Sequence, residues 1–482
     1  MPHPSTRCSL TAAVALACAG LGAIASAQPL APALPNMTLF ANASGFAATF
    51  SLAGVIDQSG PFFQSLGSNG RSCSSCHEAA TGWTITPRSV QQRFARSAGT
   101  DPIFRTVDGS NSPLADVSTP QARHRAYSML LSKGLIRVGL GIPANAEFEL
   151  AAVDDPYGFA NAGELSLFRR PLPTANLNLL STVMWDGRET FKDPAGPDCV
   201  VGTHNCFAPI AFDLLDQSNV ATLGHAQAAQ ALSASQRAAI VAFETGLFTA
   251  QVWDAQAGAL TAHGARGGPV ALSQQESYFG INDTLVGDYR THVPFTSQVM
   301  TLYQTWTQAG VAERQEGEGH HDRGEARRAV ARGQTLFNTK PIRITGVGGF
   351  NDDLGAPLIQ GTCTTCHNTP NAGNHSVPMP LNIGVADGSH RTADMPLYTL
   401  RHKLSGQTVQ VTDPGRALVT GQWKDIGRFK GPVLRALATR APYFHNGMAK
   451  DLNEAVDFYE TRFGVGLTPT ERADLVAFLR TL

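Results

Sequence analysis

Two stretches of the chain place apolar residues at i, i+3, i+4 and i+7 and predict helices of one design: LSASQRAAIVAFETGL at 232–247 and LTPTERADLVAFLRTL at 467–482. They are identical at seven of sixteen positions. The second copy opens with Thr468 and Glu471 in capping-box spacing and carries Pro469 at the first helical position. A further stretch, DLNEAVDFYETRFG at 451–464, gathers Leu452, Ala455, Val456 and Tyr459 on one helical face. The repetition predicts two related halves, 45–315 and 326–482, each ended by its closing helix. Between them the linker 316–325 lies in RQEGEGHHDRGEARR, which is charged, Gly-containing and free of aromatics. His320 and His321 read there as part of a solvated loop. The excess length of the first half, at 88–165 and 250–312, has short apolar runs broken by Gly and Pro and predicts hairpins and loops. The expected fold class is mainly α, with short β-hairpins and long loops in the first half.

The N-terminus has its own pattern. MPHPSTR supplies a positive start, LTAAVALACAGLGAI an apolar run, and ASA before Gln28 a small-residue cleavage site. Residues 1–27 therefore read as a signal peptide cut after Ala27, with a lipoprotein cut before Cys18 as the alternative. Residues 28–44, rich in Ala and Pro at the start, read as an extended arm. No other apolar run approaches the roughly 20 residues needed to span a bilayer. A periplasmic or secreted protein is expected. The 482 residues carry a formal net charge of −1, which gives no basic field for nucleic acid.

Compartment changes how the cysteines are read. Six remain after the leader, Cys73, Cys76, Cys199, Cys206, Cys363 and Cys366, and export places them in oxidising surroundings. SCSSCH (Cys73, Cys76, His77) and TCTTCH (Cys363, Cys366, His367) carry the chemistry. Two thiols at this spacing can form thioethers to a haem, and the adjacent His then falls beneath the iron as proximal ligand. A redox dithiol needs no following His, and a zinc site joining both CxxC units leaves both His residues unexplained. Two covalently attached haem c groups are expected, with each half a cytochrome c-like haem domain. Cys199 and Cys206, in CVVGTHNC, read as a disulfide, with a metal site including His204 as the alternative.

VMWDGRET at 183–190, ARGQTLFNT at 331–339, GRFKGPVLRALATRAPYFHNGM at 427–448 and DLNEAVDFY at 451–459 resemble the bacterial di-haem cytochrome c peroxidase and MauG family. The likeness covers the C-terminal half well and the first half in patches. It implies that the N-terminal haem is the peroxide site and the C-terminal haem a six-coordinate electron store. The tryptophan between the haems would be Trp185. His445 would lie near the C-terminal haem without ligating it. The sixth ligand of that haem would be Tyr459, the position where the peroxidases place Met and MauG a Tyr. Met379, Met395 and Met448 fall out of that register. An anionic oxygen ligand lowers the iron potential, whereas a thioether raises it.

At the N-terminal haem the family places a Glu, with a Gln nearby, after WDGR. Here LLDQSNVATLGHAQ at 214–227 falls there, so Gln217 matches the Gln and Gln227 stands where the Glu would be. Gln cannot transfer a proton as a carboxylic acid does. His225 could serve as acid/base or ligate the iron, and His124 is another conceivable distal ligand. Arg188 would pair with a haem propionate or form a plain salt bridge. The resemblance also implies calcium between the halves, but Pro171 in RRPLPT replaces the Asn that gives a side-chain ligand. The leading expectation is a peroxidase/MauG-type oxidoreductase acting on hydrogen peroxide, served by a small electron-donor protein or oxidising a partner protein. A di-haem electron carrier and a dioxygenase resembling the rubber oxygenases are the alternatives.

Overall fold

A computed structural model describes residues 33–192, 210–308 and 321–482. The predicted leader, the Cys199–Cys206 pair and His320 lie outside the described residues. The helices are α1 (Pro87–Ser97), α2 (Pro120–Ala126), α3 (Ser128–Lys133), α4 (Ile210–Gly224), α5 (Ala234–Thr245), α6 (Gly268–Ser273), α7 (His321–Thr339), α8 (Ala417–Thr420), α9 (Leu452–Phe463) and α10 (Pro469–Leu479). The sequence signals for them act locally. Ser233 caps α5 and Thr468 caps α10, each through a reciprocal capping box. Asp451 caps α9 by accepting from the Glu454 N–H at 3.0 Å, and Gly464 ends that helix in the left-handed conformation at φ 59°.

The strands are β1 (Ala33–Pro35), β2 (Leu39–Asn42), β3 (Gly45–Ser51), β4 (Val55–Asp57), β5 (Ile136–Leu140), β6 (Phe148–Asp154), β7 (Leu165–Arg169), β8 (Leu247–Asp254), β9 (Gly258–Ala259), β10 (Ile342–Ile344), β11 (Ile359–Gly361), β12 (Leu397–His402) and β13 (Thr408–Val411). They form small antiparallel sheets in the orders β1-β4, β10-β11, β13-β12-β6, β2-β3-β8-β9 and β5-β7. The fold is therefore mixed α and β, which corrects the expectation of a mainly α protein. Most strands are short, and β7 is buried at every residue, so no period-2 alternation marks it.

Two predicted segments have different structures from those expected. The described part of the 28–44 arm is paired: β1 lies against β4, with Ala33 opposite Asp57, and β2 makes a hairpin with β3. The 316–325 linker overlaps α7, which already starts at His321.

The long segments of the first half pack onto the second. β6 is a sheet neighbour of β12, running from Leu397 opposite Asp154 to His402 opposite Phe148. Met300, Tyr303 and Trp306 share one hydrophobic core with Val330, Phe337 and Phe478. The Tyr303 hydroxyl donates to the Thr481 carbonyl at 3.0 Å. α7 and α10 cross at Gly333, where a Cβ would lie 2.0 Å from the Asp474 carbonyl oxygen, so no other residue fits without shifting a helix.

A buried ion cluster joins the halves. Arg169 at the end of β7 grips Asp413 with Nε at 2.7 Å and Nη2 at 2.9 Å, and Asp186 with Nη1 at 2.5 Å. All three are almost fully buried. Burial alone would raise the Asp186 carboxyl, but Arg169 and Arg188 outweigh it and hold it at about 2. Removing one member of such a cluster leaves a charge in low dielectric. Asp413→Ala is expected to lower stability by about 3–5 kcal/mol in urea unfolding at pH 7. Glu149→Ala, which breaks the exposed pair with Arg401, should cost under about 1 kcal/mol.

Candidate functional site

Each CxxCH forms one short turn and then hands its His to a carbonyl. At the first, the Cys76 and His77 N–H groups both reach the Cys73 carbonyl at 3.1 Å. His77 Nδ1 lies 3.0 Å from the Trp83 carbonyl oxygen. At the second, the His367 N–H reaches the Cys363 carbonyl at 3.1 Å, and its Nδ1 lies 2.6 Å from the Gly373 carbonyl. A carbonyl only accepts, so Nδ1 carries the proton in both rings and Nε2 keeps its lone pair. Burial lowers both imidazoles, His77 to about 4, so both are neutral and suited to ligate a metal. The four thiols are unpaired. Burial pushes Cys73, Cys363 and Cys366 up to about 12 and Cys76 up to about 11.

Each motif opens into a large cleft. The first encloses about 1380 Å³, mouth included, and is walled in part by Cys73, Cys76, His77, Gln217 and His225. The second encloses about 1860 Å³, mouth included, with a mostly apolar wall that holds Cys363, Cys366, His367 and Tyr459. Trp185 lines both clefts. Its indole N–H donates to the Arg170 carbonyl at 2.8 Å, which fixes the ring.

In the second cleft Tyr459 projects from α9 among the rings of Phe444, Phe458 and Phe463. Its hydroxyl makes no hydrogen bond among the described residues, and burial, followed by the nearby Cys366 and Cys363, raises its pKa. Met379, Met395 and Met448 do not line this cleft. His445 does, stacked on Phe429 at 3.9 Å between ring centroids and 6.2 Å from Trp185. Burial lowers His445 to about 4, and its Nε2 stands 4.0 Å from Asp413.

In the first cleft His225, just beyond α4, is anchored through Nδ1 to Asp108, which also pairs with Arg71. Burial would raise Asp108, but Arg71 and then His225 outweigh it and lower its pKa. Gln217 reaches the cleft from α4. Arg188 also lines it and is tied to Asp186 at 2.9 Å. Gln227 does not line it. The chain reverses there with Gln227 at φ 54°, Gly67 packs against Ala226, and the Gln227 side chain is exposed against Asn69. His124 is exposed on α2 beside Phe94 and away from both clefts. The Pro171 carbonyl accepts from the Thr84 hydroxyl at 2.6 Å. Among the described residues no group of three or more His, Cys, Asp or Glu is placed to hold a metal ion.

Sequence reasoning missed three cations. Arg170 and Lys430 line both clefts and Arg440 lines the second. Their hydrogen bonds go to carbonyl oxygens, such as that of Thr182 at 2.9 Å from Lys430 Nζ. Among the described residues none of the three pairs with a carboxylate. Burial, and then Arg440, brings Lys430 to about 7 and Arg170 to about 9, while burial brings Arg440 to about 10. Lys430 sits in GRFKGP beside a second cation, Arg428, and nothing in that stretch marks it as buried. Unpaired thiols, imidazoles with free Nε2 and uncompensated buried cations fit a haem in each cleft, whose propionates would meet those cations.

This arrangement fits haem as the cofactor, and the proteins this chain is similar to are named as cytochrome c peroxidases. No protein-family model matches the chain. It is 33% identical over 157 residues to cytochrome-c peroxidase IdrP1 of Pseudomonas sp. (strain SCT), covering 28% of this chain and 38% of that protein. It is 32% identical over 133 residues to cytochrome-c peroxidase IdrP2 of Denitromonas iodatirespirans, covering 26% and 36%. With cytochrome c551 peroxidase of Pseudomonas aeruginosa it shares 31% over 126 residues, covering 26% and 31%. The chain thus spans well under half the length of these relatives. A solved MauG-like protein associated with microbial copper homeostasis aligns over 88% of this chain and 85% of that chain, at 18% identity and a TM-score of 0.37. Over these stretches the chain is similar to bacterial cytochrome-c peroxidases.

His445 gives a pH test. Its folded pKa is depressed below the ordinary 6.5, so the unfolded chain binds the extra proton and stability falls as pH drops from about 6.5 to 4. Urea midpoints of wild type and His445→Gln across that window should differ in slope. The wild type should lose roughly 3 kcal/mol more than the variant.

Proposed function

We propose that the chain is an exported di-haem oxidoreductase of the peroxidase type, taking hydrogen peroxide at the first cleft and storing electrons or oxidising equivalents at the second. The observation that carries this reading is Trp185, which lines both clefts while each cleft holds the same thiol, thiol and imidazole set. Haem bound in each cleft supplies the iron redox chemistry. The four thiols would hold it covalently, and His77 and His367 would each offer Nε2 to its iron. Arg170, Lys430 and Arg440 offset its propionate charges.

His225 serves as the proton carrier of the first cleft. With Nδ1 tied to Asp108, its Nε2 is free to take a proton from the inner peroxide oxygen and return it to the outer one, and the Asp108 carboxylate stabilises the imidazolium formed. Gln217 offers an amide N–H to the leaving oxygen. Trp185 is the route for electrons between clefts. Tyr459 would offer its phenol oxygen to a metal held in the second cleft and, with its proton released to solvent, would supply a hard anionic donor that favours the oxidised state. The partner is a small electron-donor protein or a protein whose side chains are oxidised. Among the described residues no helix is long and apolar enough to cross a membrane.

A second reading has one observation behind it. The anchoring of His225 through Nδ1 matches that of His77, so His225 could itself ligate the first iron and make the chain an electron carrier. EPR and optical spectra of the di-ferric protein separate the two. One high-spin and one low-spin centre with a spectral response to equimolar peroxide is expected, whereas two low-spin centres indifferent to peroxide overturn the enzyme. His225→Ala should then cut the peroxide rate by about 10²–10⁴-fold. Tyr459→Phe should convert the low-spin centre to high spin, and an unchanged low-spin spectrum would remove Tyr459 from the iron.

A further inference from the structure

One buried acid in the first cleft has no part in that mechanism. Glu244, near the end of α5, is 4% exposed and lines the cleft with Cys73 and His77. Its carboxyl makes no hydrogen bond or ion pair among the described residues, and Oε2 is fully enclosed. A carboxyl in that condition is expensive unless it is neutral or gains a partner when the cleft is filled. Burial alone pushes it up to about 8, and its proximity in turn raises the Cys73 thiol.

The internal repeat supplies an independent comparison. In the two closing helices Ile240 aligns with Leu475 and Glu244 with Leu479. Ile240 and Glu244 line the first cleft, and Leu475 and Leu479 line the second. The same helical register therefore presents a carboxyl to one cleft and an isobutyl group to the other.

We infer that Glu244 is a positioning residue that couples proton uptake to electron uptake at the first haem, and that the second haem, facing Leu479, lacks this coupling. The inference rests on the di-haem reading above. Each electron delivered by a reductant to a centre held in the first cleft would remove one positive charge from the cleft that Glu244 lines. A carboxylate there is then less well compensated, and one proton from solvent joins a carboxylate oxygen. Reoxidation releases it. Electron and proton enter together, so no net charge is added to a site of low dielectric.

The neighbouring charges do not replace this role. The turn at Cys73–Ser75 contributes only Cys73, and the 61–63 and 177–179 turns packed on α5 carry no charged residue. On the cleft side α4 presents Gln217, Ser218 and Thr222, none of them charged. Farther along the wall, Arg71 and His225 are tied to Asp108, and Arg169 and Arg188 to Asp186. Arg170 and Lys430 line both clefts and are common to the two sites, so the effect of Glu244 is read from the change that Glu244→Gln makes at each haem.

The test is spectroelectrochemistry of the holoprotein from pH 6 to 9, with the two haems resolved by their spin states. The first haem should fall in potential towards about 59 mV for each tenfold drop in proton activity, and the second should change far less. Glu244→Gln should flatten the first haem alone, and Glu244→Asp should restore its slope. A Gln variant that keeps the wild-type slope, or a flat first haem in the wild type, overturns the inference. Should the Gln variant misfold, redox-difference infrared spectra of the wild type decide the matter: a protonated-carboxyl band in the reduced state supports it, and its absence overturns it. Protein with two covalent haems and a flat first potential overturns this inference alone. Protein without covalent haem removes the functional reading as well.

Discussion

The Arg169 guanidinium buried between Asp186 and Asp413 is the contact on which the geometry of both clefts depends. Asp186 follows Trp185 directly, and Asp413 comes from the second half. The next residue, Arg170, gives its carbonyl to the Trp185 indole and its N–H to the His445 carbonyl. One cation therefore sets the WDGR loop, the strand β7 and the PYFHNG turn against each other. Such a cluster adds little net stability compared with an apolar core. It does add direction, since a bidentate guanidinium accepts only a narrow range of carboxylate positions. The indole that faces both clefts is held by that direction.

The clefts are two uses of one frame. Each has a CxxCH turn, an Nδ1-anchored imidazole and a closing helix in matched register. Their walls differ. The second is mainly apolar and offers a phenol from α9, an environment suited to hold charge on a metal without water. The first has Gln217, the His225–Asp108–Arg71 relay and Glu244, groups that donate, hold or move protons. The side chains on the repeated backbone thus differ in the way the proposed division between proton-linked and electron-storing chemistry requires.

Much of this was legible locally. Thiol spacing, the capping box at Thr468 and Glu471 and the 3.6-residue period of α9 depend on neighbours a few residues apart, so the sequence alone reveals them. The individual strands were not legible, because most span five residues or fewer, β7 is buried throughout, and some pair with partners more than 200 residues away, as β6 and β12 do. Gln227 shows the same limit at one residue. Counting along the chain put it in the cleft, but the left-handed turn after α4 turns it outwards and leaves His225 facing in. Glu244 was visible in the repeat as an acid opposite a leucine, yet only packing makes that exchange meaningful.

By itself the sequence determined the two CxxCH motifs, the repeat of the closing helices and the helix carrying Tyr459, because each is set by covalent spacing or by a period within one helix. Tertiary structure alone decided which groups share a cleft. It placed Trp185 between both, left Lys430, Arg170 and Arg440 without carboxylates, and enclosed Glu244. These outcomes depend on long-range packing and on the dielectric it creates, and neither is encoded in any single stretch of chain.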